Sequence, residues 1–282
     1  MKADVALRSP VAFRLPGPLT LQTMAAPPDS VEIAFEAWRF VWHPPMDHDD
    51  EDLGLTQYGP MVSYVVPDLD EDANAARAAV QRFLSAVAFL YDLPVEDVSY
   101  GALLGGGGTD PFNPHGHRHP RSHVGTWKLD APAAIEVDAA PLLRRSLAYY
   151  REGLNAGSPF YGCLAFRNVL DAAFRVTHET HGRRATPEAI ERDTFIDAAT
   201  PAFVQRRGLA DLTAGRTWSA YLREEVRNAL AHVHRGGRVE VDLDDFRERQ
   251  RFLIDTSVSQ FLARAKIEER WPHGVRAVAR ER

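Results

Sequence analysis

Late in the chain an arginine, an amide and a histidine stand close together in the run Arg227-Asn228-Ala229-Leu230-Ala231-His232. A guanidinium grips phosphate through paired hydrogen bonds, and an imidazole exchanges protons near neutral pH. Together they point to chemistry on a phosphodiester, with RNA the first substrate to consider.

That chemistry needs a helix to hold it. Over residues 218–235, Leu222, Val226, Ala229, Leu230 and Val233 share one stripe at helical spacing, and this stripe must face a core. Arg227, Asn228, Ala231, His232 and Arg235 fall on the other side. Asn228 and His232 are four positions apart, hence surface neighbours, with the small Ala231 beside His232. His232 therefore does not read as a satisfied core histidine. Periodicity alone leaves two readings open: a site, or polar decoration of a solvated helix face.

The elements around this helix read as a bundle. Pro141 opens a helix with Leu143, Leu147, Tyr150 and Leu154 on one face, closed by Gly157. Ser158-Pro159 starts a second, running to about His181 and burying Leu164, Val169, Leu170, Ala173 and Phe174. Thr186-Pro187 starts a third, interrupted near Pro201. The helix bearing the motif ends at Gly236-Gly237. A last helix, from about Leu243 to Arg270, uses Phe246, Leu253, Ile254, Phe261, Leu262 and Ala265. Short connections between these helices imply an antiparallel bundle.

The first half is mixed. Val31, Ile33, Phe35 and Ala37 alternate with Glu32, Ala34, Glu36 and Trp38, the period of a strand. Met61–Val66 is a second strand, stopped by Pro67. Residues 4–22 supply edge strands broken by Pro10, Pro16 and Pro18. Ala73–Tyr91 is an amphipathic helix with Ala76, Val80, Phe83, Leu84, Val87 and Leu90 on its stripe. A loop rich in glycine, proline and histidine spans 101–123, and a strand resumes near Ile135–Val137. The expected organisation is an α+β domain over 1–137, followed by an all-α antiparallel helical bundle over 138–282.

Arginine, a polar residue, three further residues and histidine, on a late helix of a bundle, resemble the signature of the HEPN superfamily (higher eukaryote and prokaryote nucleotide-binding domains). The likeness covers about residues 140–270. More narrowly, Ser158-Pro159-Phe160-Tyr161, the aromatic-rich helix after it and R-N-A-L-A-H resemble bacterial proteins labelled methylamine-utilisation accessory protein J.

Many HEPN proteins are metal-independent endoribonucleases that act as dimers with both motifs lining one cleft. The resemblance implies that His232 is the general acid or base, activating a ribose 2′-hydroxyl or protonating the leaving oxygen. Arg227 would stabilise charge on the phosphoryl oxygens, and Asn228 would orient His232 or bind phosphate. Arg223, His234 and Arg235 are supporting substrate contacts. The products would be a 2′,3′-cyclic phosphate and a 5′-hydroxyl. The implied partners are RNA, a second copy of the chain and an antitoxin or regulatory protein, in a toxin or phage-defence effector whose first domain senses a trigger. Other HEPN-like proteins bind or assemble without cutting, so a non-catalytic accessory role is the alternative, and an enzyme acting on a small nucleotide is a third.

Other clusters carry less. His115, His117, His119 and His123 crowd one loop, yet no cysteine or helical His-Glu-x-x-His accompanies them, and a mobile polar loop is the preferred reading over a metal site. Gly105–Gly108 lacks the lysine and hydroxyl residue of a phosphate loop. Asp47–Asp52 reads as an exposed acidic loop, and Cys163 as buried packing. Arg167, Asp171, Arg175 and His178 form a polar stripe, with Asp171 and Arg175 as an intrahelical pair. No metal or other cofactor is expected.

The 282 residues are 45% hydrophobic and 26% charged, the composition of a globular protein. The net charge of −6 argues against indiscriminate binding of nucleic acid, but arginines gather in the second half. A single cysteine excludes an internal disulfide and suits a reducing compartment. With no membrane-length apolar run and no secretory leader pattern, the expectation is a cytoplasmic protein without membrane contact.

Overall fold

A computed structural model describes residues 7–14, 25–26, 29–43, 46–50, 54–58, 61–65, 73–97, 127–128, 131–156, 158–177, 185–207, 213, 215–224, 234–235, 238–239 and 246–280. The chain divides into two compact units, Met1–Val137 with Val275–Arg282, and Asp138–Gly274. The sequence division had put residues 275–282 with the bundle. Instead, Val275–Val278 forms an outer strand of the first unit's sheet.

The strands of the first unit are β1 (Leu7–Arg14), β2 (Ala25–Ala26), β3 (Val31–Phe35), β4 (Trp38–His43), β5 (Met46–Asp50), β6 (Gly54–Tyr58), β7 (Met61–Val65), β8 (Glu96–Asp97), β9 (Trp127–Lys128) and β10 (Ala134–Val137). Helix α1 (Ala73–Tyr91) falls between β7 and β8. Six of these strands and β13 (Val275–Val278) build a mixed seven-stranded sheet in the order β13-β10-β3-β4-β7-β1-β8, in which β10 and β3 are parallel, while β2 pairs with β9 and β5 with β6 in separate two-stranded sheets. The register of β1 against β7 shifts between Arg8 and Val11, where Pro10 has no N–H to give the ladder.

Alternation predicted one strand through Ala37, but the chain reverses there. Phe35 pairs with Trp38, so Glu36-Ala37 is a two-residue turn. Such turns favour positive φ and usually recruit Gly or Asn. Here Glu36 takes φ 52° and is clasped by Arg82, whose Nε and Nη2 donate to its two carboxylate oxygens at 2.9 and 2.6 Å. The core beneath is aromatic. Phe83 of α1 meets Phe35 edge-on and Phe40 at a 4.7 Å centroid distance. The acidic run read as a loop is partly a strand: β5 pairs with β6 through Met46↔Tyr58 to Asp50↔Gly54. Glu51, Asp52, Gly105–Gly108 and the histidines at 115–123 lie outside the described residues.

The second unit contains α2 (Pro141–Asn155), α3 (Pro159–Phe174), α4 (Pro187–Arg207), the short α5 (Trp218–Tyr221), the strands β11 (His234–Arg235) and β12 (Arg238–Val239), and α6 (Phe246–Arg270). Helix α3 packs against α2, α4 and α6. The α2–α3 approach is close at Gly153, where a Cβ would stand 2.7 Å from the Phe166 ring. Phe160, Leu170, Phe174, Ile196, Phe203, Tyr221, Leu222, Phe252, Val258 and Leu262 share one core.

Three helix features differ from expectation. The second helix was to reach His181, but α3 stops at Arg175, which takes φ 61°. The N–H of Arg175 bonds the Ala172 carbonyl and that of Val176 bonds the Asp171 carbonyl, a Schellman arrangement without the glycine that usually announces it. Helix α4 runs through Pro201 rather than breaking there. Its buried residues Ile196, Thr200 and Phe203 span the proline, and Thr200 Oγ1 donates to the Ile196 carbonyl. Ser158 precedes α3 as predicted, but its side chain makes no capping bond.

In α6 the buried positions include Phe252, Asp255, Val258, Ser259, Leu262 and Lys266, whereas Leu253 is exposed. The predicted stripe was displaced because the true one carries polar residues.

Candidate functional site

The chain approaches the arginine–histidine run through a tightly anchored turn. Thr217 caps α5 by accepting from the Ala220 N–H. Asp197 of α4 accepts from the backbone N–H of Ser219 at 2.7 Å and from its hydroxyl at 2.9 Å. From α6, the buried Asp255 accepts from the Tyr221 hydroxyl at 3.0 Å. Directly after α5, residues 222–224 wind into a wider, π-helical turn. Such turns are uncommon and recur at functional sites.

This turn carries Arg223 and Glu224, the exposed end of a chain of alternating charges that starts in the core. Arg167 of α3 pairs with Asp171 at 3.4 Å. Asp171 accepts from Arg192 Nη1 of α4 at 2.7 Å. Arg192 turns its Nε and Nη2 to Asp193 Oδ1, at 3.0 and 2.8 Å. The other carboxylate oxygen, Asp193 Oδ2, accepts from Arg223 Nη1 at 3.2 Å. Glu224 stands 3.6 Å from Arg223 Nη2 and 3.8 Å from Arg216 Nη1. The Arg192 side chain is 1% exposed, and those of Arg223 and Arg216 are 35% exposed. A buried charge is tolerable only when paired, and each group here faces a neighbour of opposite charge.

Of the site residues that the sequence singled out, Arg223 is the one whose side chain is described. It lies four positions before Arg227. Arg227, Asn228 and His232 fall outside the described residues, as do Val226, Ala229, Leu230, Val233 and His178. His234 and Arg235 are not on a helix as predicted. They form β11 and pair with β12 as His234↔Val239 and Arg235↔Arg238. Gly236-Gly237, read from the sequence as a helix end, lie outside the described residues.

Asp171 pairs with Arg192 and Arg167, not with Arg175 as expected, because Arg175 has left the helix. Arg192, Asp193, Asp197, Tyr221 and Asp255 were not singled out. A signal for Arg192 did exist. Ala189, Arg192, Ile196, Thr200 and Phe203 are the buried positions of α4. A charge repeating at helical spacing among such neighbours marks a buried ion.

Cys163 has no place in this chemistry. Burial pushes its thiol up to about 12, against hydrogen bonding to Thr256. Its Sγ lies 3.1 Å from Thr256 Oγ1. Such a thiol is inert packing. Among the described residues, no group of three or more His, Cys, Asp or Glu side chains is arranged to hold a metal ion. Within the same residues no helix is long and apolar enough to cross a membrane.

Residues 146–268 match the family model described as methylamine utilization protein MauJ. The match spans α3, α4, α5, the charge chain and the R-N-A-L-A-H run. The narrower likeness read from the sequence, to methylamine-utilisation accessory proteins, thus holds over these residues. Neither a curated protein nor a solved structure matches the chain significantly.

Proposed function

We propose that the second unit is a HEPN-like antiparallel bundle that cleaves RNA without metal. His232 serves as general acid or base, Arg227 stabilises the phosphoryl oxygens, and Asn228 orients His232 or binds phosphate. Arg223, His234 and Arg235 are supporting contacts to the RNA backbone. The observation that carries this reading is the chain of paired charges leading from the core to Arg223, just ahead of the arginine–histidine run. Preorganised cations are what a transition state rich in phosphoryl charge needs.

One histidine per chain supplies one proton-transfer group, so the working form in this reading is a homodimer. The protein then acts in the cytoplasm as a toxin or phage-defence effector, restrained by the first unit or by an antitoxin. The test is controlled expression of wild type and His232→Ala, followed by end mapping of total RNA. Wild type should generate 2′,3′-cyclic phosphate ends, and the variant should lose roughly a hundred- to ten-thousandfold in rate. Identical end patterns from the two would reject the assignment.

The family match favours a second reading, a non-catalytic accessory protein of methylamine utilization. In that case the charge chain fixes an assembly surface. Neither form would generate new RNA ends, and genes for amine oxidation would neighbour this one.

A further inference from the structure

The two oxygens of Asp193 serve different partners. Oδ1 takes both bonds from Arg192, whose side chain is buried, while Oδ2 takes one from Arg223, which reaches solvent. Glu224 stands 3.6 Å from Nη2 of the same guanidinium. Arg223 is therefore already engaged by two carboxylates. An incoming phosphate competes with these carboxylates for Arg223, because Asp193 already holds Nη1 and oxyanions crowded on one guanidinium repel each other.

We propose that Asp193 is a carboxylate gate on the RNA site. It holds Arg223 in a self-paired state, and a backbone phosphate of single-stranded RNA displaces Oδ2 when it binds. This rests on the RNA reading above and adds how that site is regulated. The gate suppresses loose binding of abundant polyanions, because only a ligand held by further contacts offsets the broken ion pair. Arg192 keeps Asp193 in place throughout, so the gate resets when RNA leaves.

The division of labour between the oxygens defines the test. In Asp193→Asn the amide oxygen still accepts from Arg192, and the NH₂ that replaces Oδ2 no longer attracts Arg223. Binding of a labelled single-stranded oligoribonucleotide is measured on the full chain, in a His232→Ala background so that the probe stays intact. Asp193→Asn should tighten binding about threefold to fivefold, on the scale of one partly exposed ion pair. The slope of log affinity against log salt should steepen by at most about 0.7, because in the parent the displaced Asp193 carboxylate offsets the counterion release at that phosphate.

Adding Arg223→Gln should erase both changes. Should Asp193→Asn unfold, Glu224→Gln decides the matter: it should tighten binding in the same sense and also depend on Arg223. Unchanged or weaker binding, or a gain that survives Arg223→Gln, overturns the gate alone. Absence of RNA binding by every variant and by the parent overturns the RNA reading and the gate with it.

Discussion

The two units treat charge in opposite ways. Among the described residues of the first, ion pairs sit outside an apolar centre. Glu32–Arg39 and Glu136–Arg276 join exposed side chains, and even the Glu36–Arg82 clasp remains accessible. Its described core includes Ile33, Phe35, Phe40, Val80, Phe83, Leu84, Val87 and Ile135. In the second, Arg192, Asp255, Arg167 and Lys266 are themselves buried. Lys266 rests over the rings of Phe174 and Phe195, with Glu269 at its tip. Apolar packing stabilises without a desolvation penalty, whereas buried ions are expensive and set geometry. The first unit is built to be stable, the second to hold particular groups in particular places.

The sharpest way to break this contrast is Arg192→Ala. It strands Asp171 and Asp193 without their shared buried cation and should cost about 3–5 kcal/mol in urea unfolding of the full chain. A loss below about 1 kcal/mol would put the buried network on the same footing as the surface pairs. Next comes Tyr221→Phe, which removes a hydroxyl donor from the buried Asp255 carboxylate. The expected loss is about 1.5–3 kcal/mol, the range for a bond to a charged group.

Cys163 sharpens the comparison from another side, since it is a buried group kept neutral rather than paired. Its folded pKa of about 12 exceeds the ordinary thiol value of 9.0. The unfolded chain therefore releases the thiol proton first. Stability from this group is intact below about pH 9 and falls as pH rises toward about 12, by about 1.4 kcal/mol per unit. Comparing wild type with Cys163→Ser between about pH 8 and 11 isolates that slope, and parallel curves would contradict the burial argument. The smallest effect is Arg39→Ala in the first unit. Its pair with Glu32 is exposed, and thermal unfolding should register less than about 1 kcal/mol.

Legibility in the sequence followed the same divide. Helix α1 was readable to its ends, because apolar residues recur at helical spacing and no acidic residue interrupts the stripe. The start of α4 was marked by Thr186-Pro187, with Thr186 Oγ1 accepting from the Ala189 N–H. Prediction failed where tertiary contacts replaced local signals. Glu36 turns without glycine because Arg82 holds it, and Arg175 ends α3 without glycine because Val176 packs against the core.

The candidate site was legible as residue types, not as wiring. Arg223 was singled out for its charge and place. Its partner Asp193 lies 30 residues away in the chain, and no periodicity within either segment links them. Asp255 was passed over because a carboxylate on the buried stripe of α6 looks, in sequence, like a solvent-facing position.

The proposed function requires that the arginine–histidine run cut RNA without metal. The most direct test uses purified full-length protein, a chelator and a single-stranded RNA, comparing wild type with a His232→Ala variant of equal thermal stability. Cleavage to cyclic phosphate ends by wild type only is the expected result. Intact RNA with both proteins, or equal cutting by both, contradicts it.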